Sequence, residues 1–368
     1  MRLLSLALIA ALPLTAPLAT AAPRAPSPSV VETRVLESTV LKDNRVGLNT
    51  SRRLKIYLPP GYRESKARYP VIYLLHSINW DNERMFAPGT LAQPTFDRAI
   101  AAGIIGPFIV VAPDYTAPGV GSFFVNSSTT GRFEDYTLQE VVPFVDSNYR
   151  TLADAASRGI TGDFMGAYGA MRYAFRHPDV FGTVYGMHPV GAGSGVEPTF
   201  SRPDWALMQR ARSWDELRGD GYATVFMSMM QAFLPDAERP PFYCDFMVDV
   251  RDGRRVVNAR NVDLLKSRFF LEKIAAQERE NVLKLRGIKF DWGRYDPTFA
   301  HVHSNRELTR ELDELGVEHE AEEYRGLPWD KYWAEDGGRM ATEVLPFFAR
   351  HLAGGARSGD AGSGNRAH

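Results

Sequence analysis

A single cysteine, Cys244, stands among 368 residues, so no disulfide can form within the chain and stability has to come from core burial. No "GxCxG" and no paired histidine lies near it, and in "PPFYCDF" it reads as a small packed residue rather than a nucleophile. An excess of charge of one sign is also missing. The 43 Lys and Arg face 44 Asp and Glu, a formal net charge of −1, which removes the basic footprint of a nucleic-acid or polyanion binder. No internal repeat is present, which excludes solenoid architectures. Nor does G-x-S-x-G occur: "GAGSGVEP" around Ser194 gives only G-x-x-S-G, with no helix pattern after it. Long apolar runs are confined to the start, "MRLLSLALIAALPLTAPLATAAP", where Pro13 and Pro17 break the run before the small-residue site Ala19-Thr20-Ala21. A membrane span needs about 20 unbroken apolar residues, so residues 1–21 read as a cleaved secretory signal. That implies a secreted or periplasmic protein with no integral membrane segment after cleavage.

What is present is globular in composition, 44% hydrophobic and 24% charged. The length suits one catalytic-size domain with an inserted cap. Residues 22–29, "APRAPSPS", form a Pro-rich spacer, and residues 354–368 form a Gly/Ser/Ala tail that cannot bury a core and is expected to be disordered. The folded domain is then 30–353. Within it, "RRLKIYL" alternates as a strand, and "YPVIYLLHS", "PFIVVAPD", "SRGITGDF", "VFGTVYGMHP" and "GIKFDWGRYD" are short apolar runs expected of buried strands. Amphipathic stretches "TLAQPTFDRAIAAG", "YTLQEVVPFVDSNYRT" and "GAYGAMRYAFRHP" fall between them. This alternation predicts an α/β fold, a mostly parallel central sheet with helices on both faces, with sites beyond the strands' carboxyl ends. Residues 193–285 interrupt it with "FMSMMQAFLPD", a hairpin turning at Asp252-Gly253, and one long helical pattern, and read as the cap. Its Met and aromatic residues read as a satellite core, with an apolar pocket as the alternative. Sequons at Asn49 and Asn126 are acceptors only in a cell that glycosylates.

The chemistry turns on "GITGDFMGAYGA", residues 159–170, where a strand-like run enters a Gly-rich turn and then a helix. That turn, with "YLPPGYRESKARYPVIYLLH", "LQEVVPFVDSNYRT", the segment "GDFMGAYGAMRYAFRHPDVFGTVYGMHP" and "VLPFFARHL" in this order, resembles the esterase D / putative esterase family of the α/β-hydrolase superfamily. The group includes S-formylglutathione hydrolases, feruloyl and acetylxylan esterases, enterochelin esterases and antigen 85 mycolyltransferases. The resemblance spans nearly all of residues 50–353 and implies an α/β-hydrolase fold. It also implies a serine within G-x-S-M-G, an acid after a later strand and a histidine in a G-x-H turn. Here Gly162, Met165 and Gly166 keep their places while Phe164 stands where the serine belongs. Asp296 in "WGRYD" matches the acid, with Asp291 as the less favoured choice, and Pro328 in "YRGLPWDKYW" falls where the histidine belongs.

A phenyl ring offers no nucleophile and a proline no titratable nitrogen, so serine-ester hydrolysis by this route is not expected. If the tight turn persists, Phe164 occupies a strained position at its tip, its ring filling the space of an acyl carbonyl. His76, Ser77, Trp80, Asp163, Phe164, Met165 and Pro328 are the expected pocket residues. Ser77 reads as a lining group and Asp163 as a packed, hydrogen-bonded carboxylate. Any surviving chemistry would use Asp296 with His188, His301 or His303, or Ser77. On an extended segment, His301 and His303 would project to one face. The histidines nonetheless read as structural or solvent-facing, with no metal and no cofactor implied, and His177 in "RHPD" reads as scaffold. Two readings remain: a non-catalytic binder of a small acyl, aryl or glycan ligand, and an enzyme with relocated chemistry.

Overall fold

Alternate residues of "VIYLL" enter different apolar clusters: Val71, Tyr73 and Leu75 one, Ile72 and Leu74 the other. A strand with both faces apolar has to lie between two layers. The structure, a computed structural model, describes residues 26–78, 80–193, 203–328, 332–336 and 338–354. The signal segment, Ser194 and the tail beyond residue 354 lie outside them.

Eight strands form the main sheet: β1 (Val30–Glu37), β2 (Ser51–Leu58), β3 (Val71–Leu75), β4 (Ile109–Pro113), β5 (Arg158–Asp163), β6 (Thr183–Met187), β7 (Gly287–Gly293) and β8 (Glu320–Tyr324). Their spatial order is β1-β2-β4-β3-β5-β6-β7-β8. Strand β2 runs antiparallel to both its neighbours, and every other pair is parallel, as the alternating pattern predicts. Helices α1 (Ala92–Ala101), α2 (Val142–Asn148), α3 (Met165–Arg176), α4 (Phe299–Glu314) and α5 (Leu345–His351) cover it. The apolar sides of α2, α3 and α4 enter one cluster, and those of α1 and α5 the other. Residues 26–29 of the Pro-rich segment already lie against the domain, with Ser29 Oγ donating to Asp97 at 2.7 Å.

Strands β1 and β8 carry no apolar run because they are the sheet's edges. In "EAEEY", Glu320, Glu322 and Glu323 pair with Arg350, Arg339 and Arg306, so charge, not apolar burial, covers that edge. The cap region also departs from expectation. Its long helical pattern is three helices, Ala259–Phe269, Leu271–Gln277 and Arg279–Val282, because Phe270 adopts an extended conformation (φ −74°, ψ 128°). Its hairpin does turn at Asp252-Gly253, both at positive φ. Phe226, Met227, Met230, Phe233 and Phe269 are buried in the cluster that α3 also enters, so the segment extends the main core. Cys244 is buried there, 3.6 Å from Met227 Sδ, its thiol pKa pushed up by burial. No helix among the described residues is long and apolar enough to cross a membrane.

The closest approach in the sheet is between backbones. A Cβ placed on Gly162 of β5 would meet the Gly166 carbonyl carbon at 2.5 Å and Leu75 O at 2.7 Å, neither of which can rotate away. Gly162→Ala is therefore expected to destabilise the domain by about 3 kcal/mol, the upper end for overpacking, read as a lowered urea midpoint. An unchanged midpoint would mean that the turn is looser than described.

Candidate functional site

The carboxyl end of β5 dictates the conformation of residue 164. The Phe164 N–H donates to Met187 O at 2.9 Å, continuing the β5–β6 ladder, while Phe164 O accepts from Tyr168 N–H at 3.1 Å, opening α3. One residue therefore ends a strand and caps a helix, and it does so at φ 54°, ψ −111°. For a bulky side chain such a position costs on the order of 1–3 kcal/mol. The expected strained turn is present, with a phenyl ring at its tip.

That ring lies against two imidazoles. It stacks on His188 (centroids 6.0 Å, interplanar 17°) and meets His301 edge-on (5.2 Å, 83°). Both histidines converge on Asp296, in the loop after β7: His188 Nε2 lies 2.8 Å and His301 Nδ1 2.9 Å from Oδ2, and Thr298 N–H donates to Oδ1 at 2.7 Å. Burial works to raise the Asp296 pKa, but these three donors outweigh it and hold the carboxyl below the usual carboxylate range. The retained acid position is therefore an ionised, fully used carboxylate.

The protons on the two rings follow from their partners. Gly293 N–H donates to His188 Nδ1 at 3.0 Å, so His188 carries its proton on Nε2 and gives it to Asp296. Both its nitrogens are committed. His301 donates from Nδ1, and when neutral it keeps a lone pair on Nε2, the arrangement of a general base oriented by a carboxylate. Together His188, Asp296 and His301 place ligand-type atoms within 4.8 Å of one another. A metal there would need the lone pair of His188 Nε2, but the backbone donor at Nδ1 keeps the proton on Nε2. Metal-bound histidines donate from the second nitrogen, whereas here it accepts. The cluster fits a proton-holding network rather than a metal centre.

His303 is not part of it. Residues 299–314 are helical, not extended, so positions 301 and 303 point roughly 200° apart, and His303 is exposed against Phe299. His76 does not face a cavity either. Its Nε2 accepts from Tyr115 N–H at 2.9 Å, its Nδ1 donates to Ser77 O at 3.0 Å, and burial lowers its pKa. Those bonds leave no base for Ser77, whose side chain makes no hydrogen bond to a histidine among the described residues. Met165 is buried beneath the turn as the first residue of α3. Pro328 is buried too, its carbonyl accepting from Tyr324 OH at 2.9 Å. His177 bonds Glu134 at 2.7 Å, a scaffold contact that, with Arg172 and Arg176, overcomes burial and brings Glu134 to about 2. Asp291 holds Tyr185 OH, Tyr332 OH and Arg339, away from Asp296.

On its other side Phe164 lines a cavity of about 600 Å³ together with Ser77, Trp80, Asp163, Met85 and Trp333. Ile78, Arg84, Thr90, Leu91 and Ala92 also line it, and none of the described residues of the cap region does. Of these only Ser77, Trp80, Asp163 and Phe164 were legible beforehand. The 84–92 wall carries no motif, and the Trp333 loop was read only for its missing histidine. His188, Asp296 and His301 are not in the wall, so the phenyl ring stands between the cavity and the Asp296–His301 pair. Asp163 also departs from the packed, hydrogen-bonded role expected of it. No side chain among the described residues donates to its carboxylate, and burial raises its pKa to about 6, opposed only by its own backbone N–H.

Comparison with known proteins gives this geometry a context. The profile of the family described as "Putative esterase" matches residues 46–223, just under half of the chain. An esterase of Mycobacterium tuberculosis (strain CDC 1551 / Oshkosh) is 32% identical over 160 residues, 42% of this chain and 31% of the relative. An endo-1,4-beta-xylanase/feruloyl esterase of Xylanibacter ruminicola is 34% identical over 136 residues, 34% of this chain and 18% of the relative. The chain thus matches less than a third of the length of these curated relatives. A ferulic acid esterase structure superposes with a TM-score of 0.59 at 20% identity, covering 89% of this chain and 100% of the other. S-formylglutathione hydrolase of Staphylococcus aureus superposes with 0.54 at 13% identity, covering 86% and 98%. At these identities the superpositions establish a shared α/β-hydrolase fold.

The carboxylates on either side of Phe164 move stability in opposite directions. The depressed Asp296 pKa contributes stability that is full above the unfolded value near ~4 and is lost as pH falls below it. The raised Asp163 pKa costs stability that grows between about pH 4 and its folded value of about 6, and is full above that. Asp163→Asn is therefore expected to stabilise the protein by about 2 kcal/mol near pH 8, allowing for water in the cavity, with no gain near pH 4. Asp296→Asn should destabilise it near pH 8 by roughly 3 kcal/mol. Urea titrations at both pH values check both signs.

Proposed function

From the premise that over residues 46–223 this chain belongs to the putative esterase family of the α/β-hydrolase superfamily, we propose that it binds a small acyl- or aryl-bearing ligand without cleaving it as a serine esterase. The observation that carries this reading is the occupant of the turn. Phe164 has the position and backbone conformation of a nucleophile but no atom that can attack a carbonyl, and no histidine among the described residues bonds the Ser77 hydroxyl. The apolar cavity on the outer side of the ring supplies a binding volume in the range of small-molecule sites. Behind the ring, the Asp296–His301 pair keeps the geometry of an oriented base, in place of any histidine at position 328.

A second reading, an enzyme with relocated chemistry, is favoured by that same pair, since His301 Nε2 makes no hydrogen bond among the described residues. The two differ in the wild-type protein. A binder gives no ester turnover and no labelling by a fluorophosphonate, whereas an enzyme using His301 turns over and is silenced by His301→Ala.

One substitution tests the binding reading further. Phe164→Ser places a hydroxyl at the tip and opens the path to His301, so it should gain p-nitrophenyl acetate hydrolysis. That gain should fall by about 100-fold in Phe164→Ser/His301→Ala and persist in Phe164→Ser/His303→Ala. Labelling of wild-type protein at a serine would overturn the proposal, and no gain in Phe164→Ser would overturn the assignment of His301.

A further inference from the structure

The cavity walls specify the charge of their ligand. Three aromatic side chains, Trp80, Phe164 and Trp333, share this wall with one carboxylate, Asp163, and with Met85, Leu91 and Ala92. A carboxylate facing a largely apolar space with only its own backbone N–H as donor is costly unless something brought into that space compensates it. Among the described residues the other charged side chain in the wall is Arg84. It pairs with Asp81 at 3.5 Å and lies over the Trp80 ring, its guanidinium carbon 5.7 Å from the centroid. That contact shows that the indole at the rim already holds a cation on one face. On the far side of the Phe164 ring, His188 and His301 are hydrogen-bonded to Asp296, not to Asp163.

We propose that the cavity selects an organic cation, an aryl or alkyl group bearing an ammonium nitrogen, which the Asp163 carboxylate neutralises while the aromatic walls surround its apolar body. This rests on the binding reading above and narrows it. The faces of Trp and Phe attract such a cation, and more strongly where water is displaced. The same carboxylate repels an aryl carboxylate, so free aromatic acids are disfavoured. The ionised Asp163 that attracts the cation is the form that burial disfavours, and binding should therefore weaken as pH falls through about 6.

The test is calorimetric titration of the full chain with phenyltrimethylammonium, its neutral isostere tert-butylbenzene, and cinnamate. The wild type should bind the cation at least about tenfold tighter than the isostere near pH 8, and cinnamate weakest. The cation's advantage should vanish in Asp163→Asn and, in the wild type, shrink near pH 5. Asp163→Asn is expected to fold more stably near pH 8, so a loss there is not a folding defect. Equal binding of cation and isostere, or preference for cinnamate, overturns the inference but leaves the binding reading intact. Absence of binding by all three overturns it as well. Ester turnover by the wild type would overturn the binding reading independently of the charge preference.

Discussion

The contact on which the site depends is the approach of Gly162 and Gly166 to the carbonyl end of β3. Neither position has room for a Cβ, and that closeness lets α3 start immediately where β5 stops. Once strand and helix are joined in so few atoms, residue 164 is forced to positive φ whatever its side chain. The turn therefore persists without a nucleophile. Its geometry is set by glycines and backbone hydrogen bonds, and the phenyl ring inherits a place defined without it.

The consequences divide across that ring. Inside, the Asp296 carboxylate and both nitrogens of His188 have partners, and the carboxylate stays ionised because three donors outweigh its burial. Outside, Asp163 has a largely apolar neighbourhood and, among the described residues, no side-chain donor. Two carboxylates thus experience opposite environments, separated by Phe164, and the separation, more than either residue alone, shapes what the site can do. A satisfied group contributes order, whereas an unsatisfied one contributes demand for a partner.

How far this was legible in the sequence depends on what each signal rests on. The central strands were readable because burial on both faces leaves continuous apolar runs such as "VIYLL" and "IVVAP". The edges were not, since β8 is covered by Glu–Arg pairs and its residues look like loop. The turn and the acid at Asp296 could be read from glycines and order of motifs. His301 could be named but not placed, because only the helical period separates it from His303, and "FAHVHSN" carries no strong helix signal. The protonation of His188 depends on Gly293 N–H, a contact between residues 105 apart in the chain, which no local pattern encodes. Most of the cavity wall, from Ile78 to Ala92, is ordinary loop and helix sequence whose meaning comes only from what it faces.

The Asp291 cluster bears on how the molecule opens. Its carboxylate joins β7 to Tyr185 of β6 and to Tyr332 and Arg339 of the last loop, and Arg339 reaches on to Glu322 of β8. Freeing the segment that carries Trp333 would strand a fully buried charge. Residues 332–336 and 338–340 are therefore expected to open together with the strands that Asp291 ties them to, which native-state hydrogen exchange would read. On the other side Trp80 is itself 47% exposed at the rim, but Asn82, two residues on, is buried and donates to Arg53 O and Ala112 O of the neighbouring strands at 2.8 Å each. Both walls of the cavity are thus fastened to the sheet, one through a carboxylate and the other through an amide.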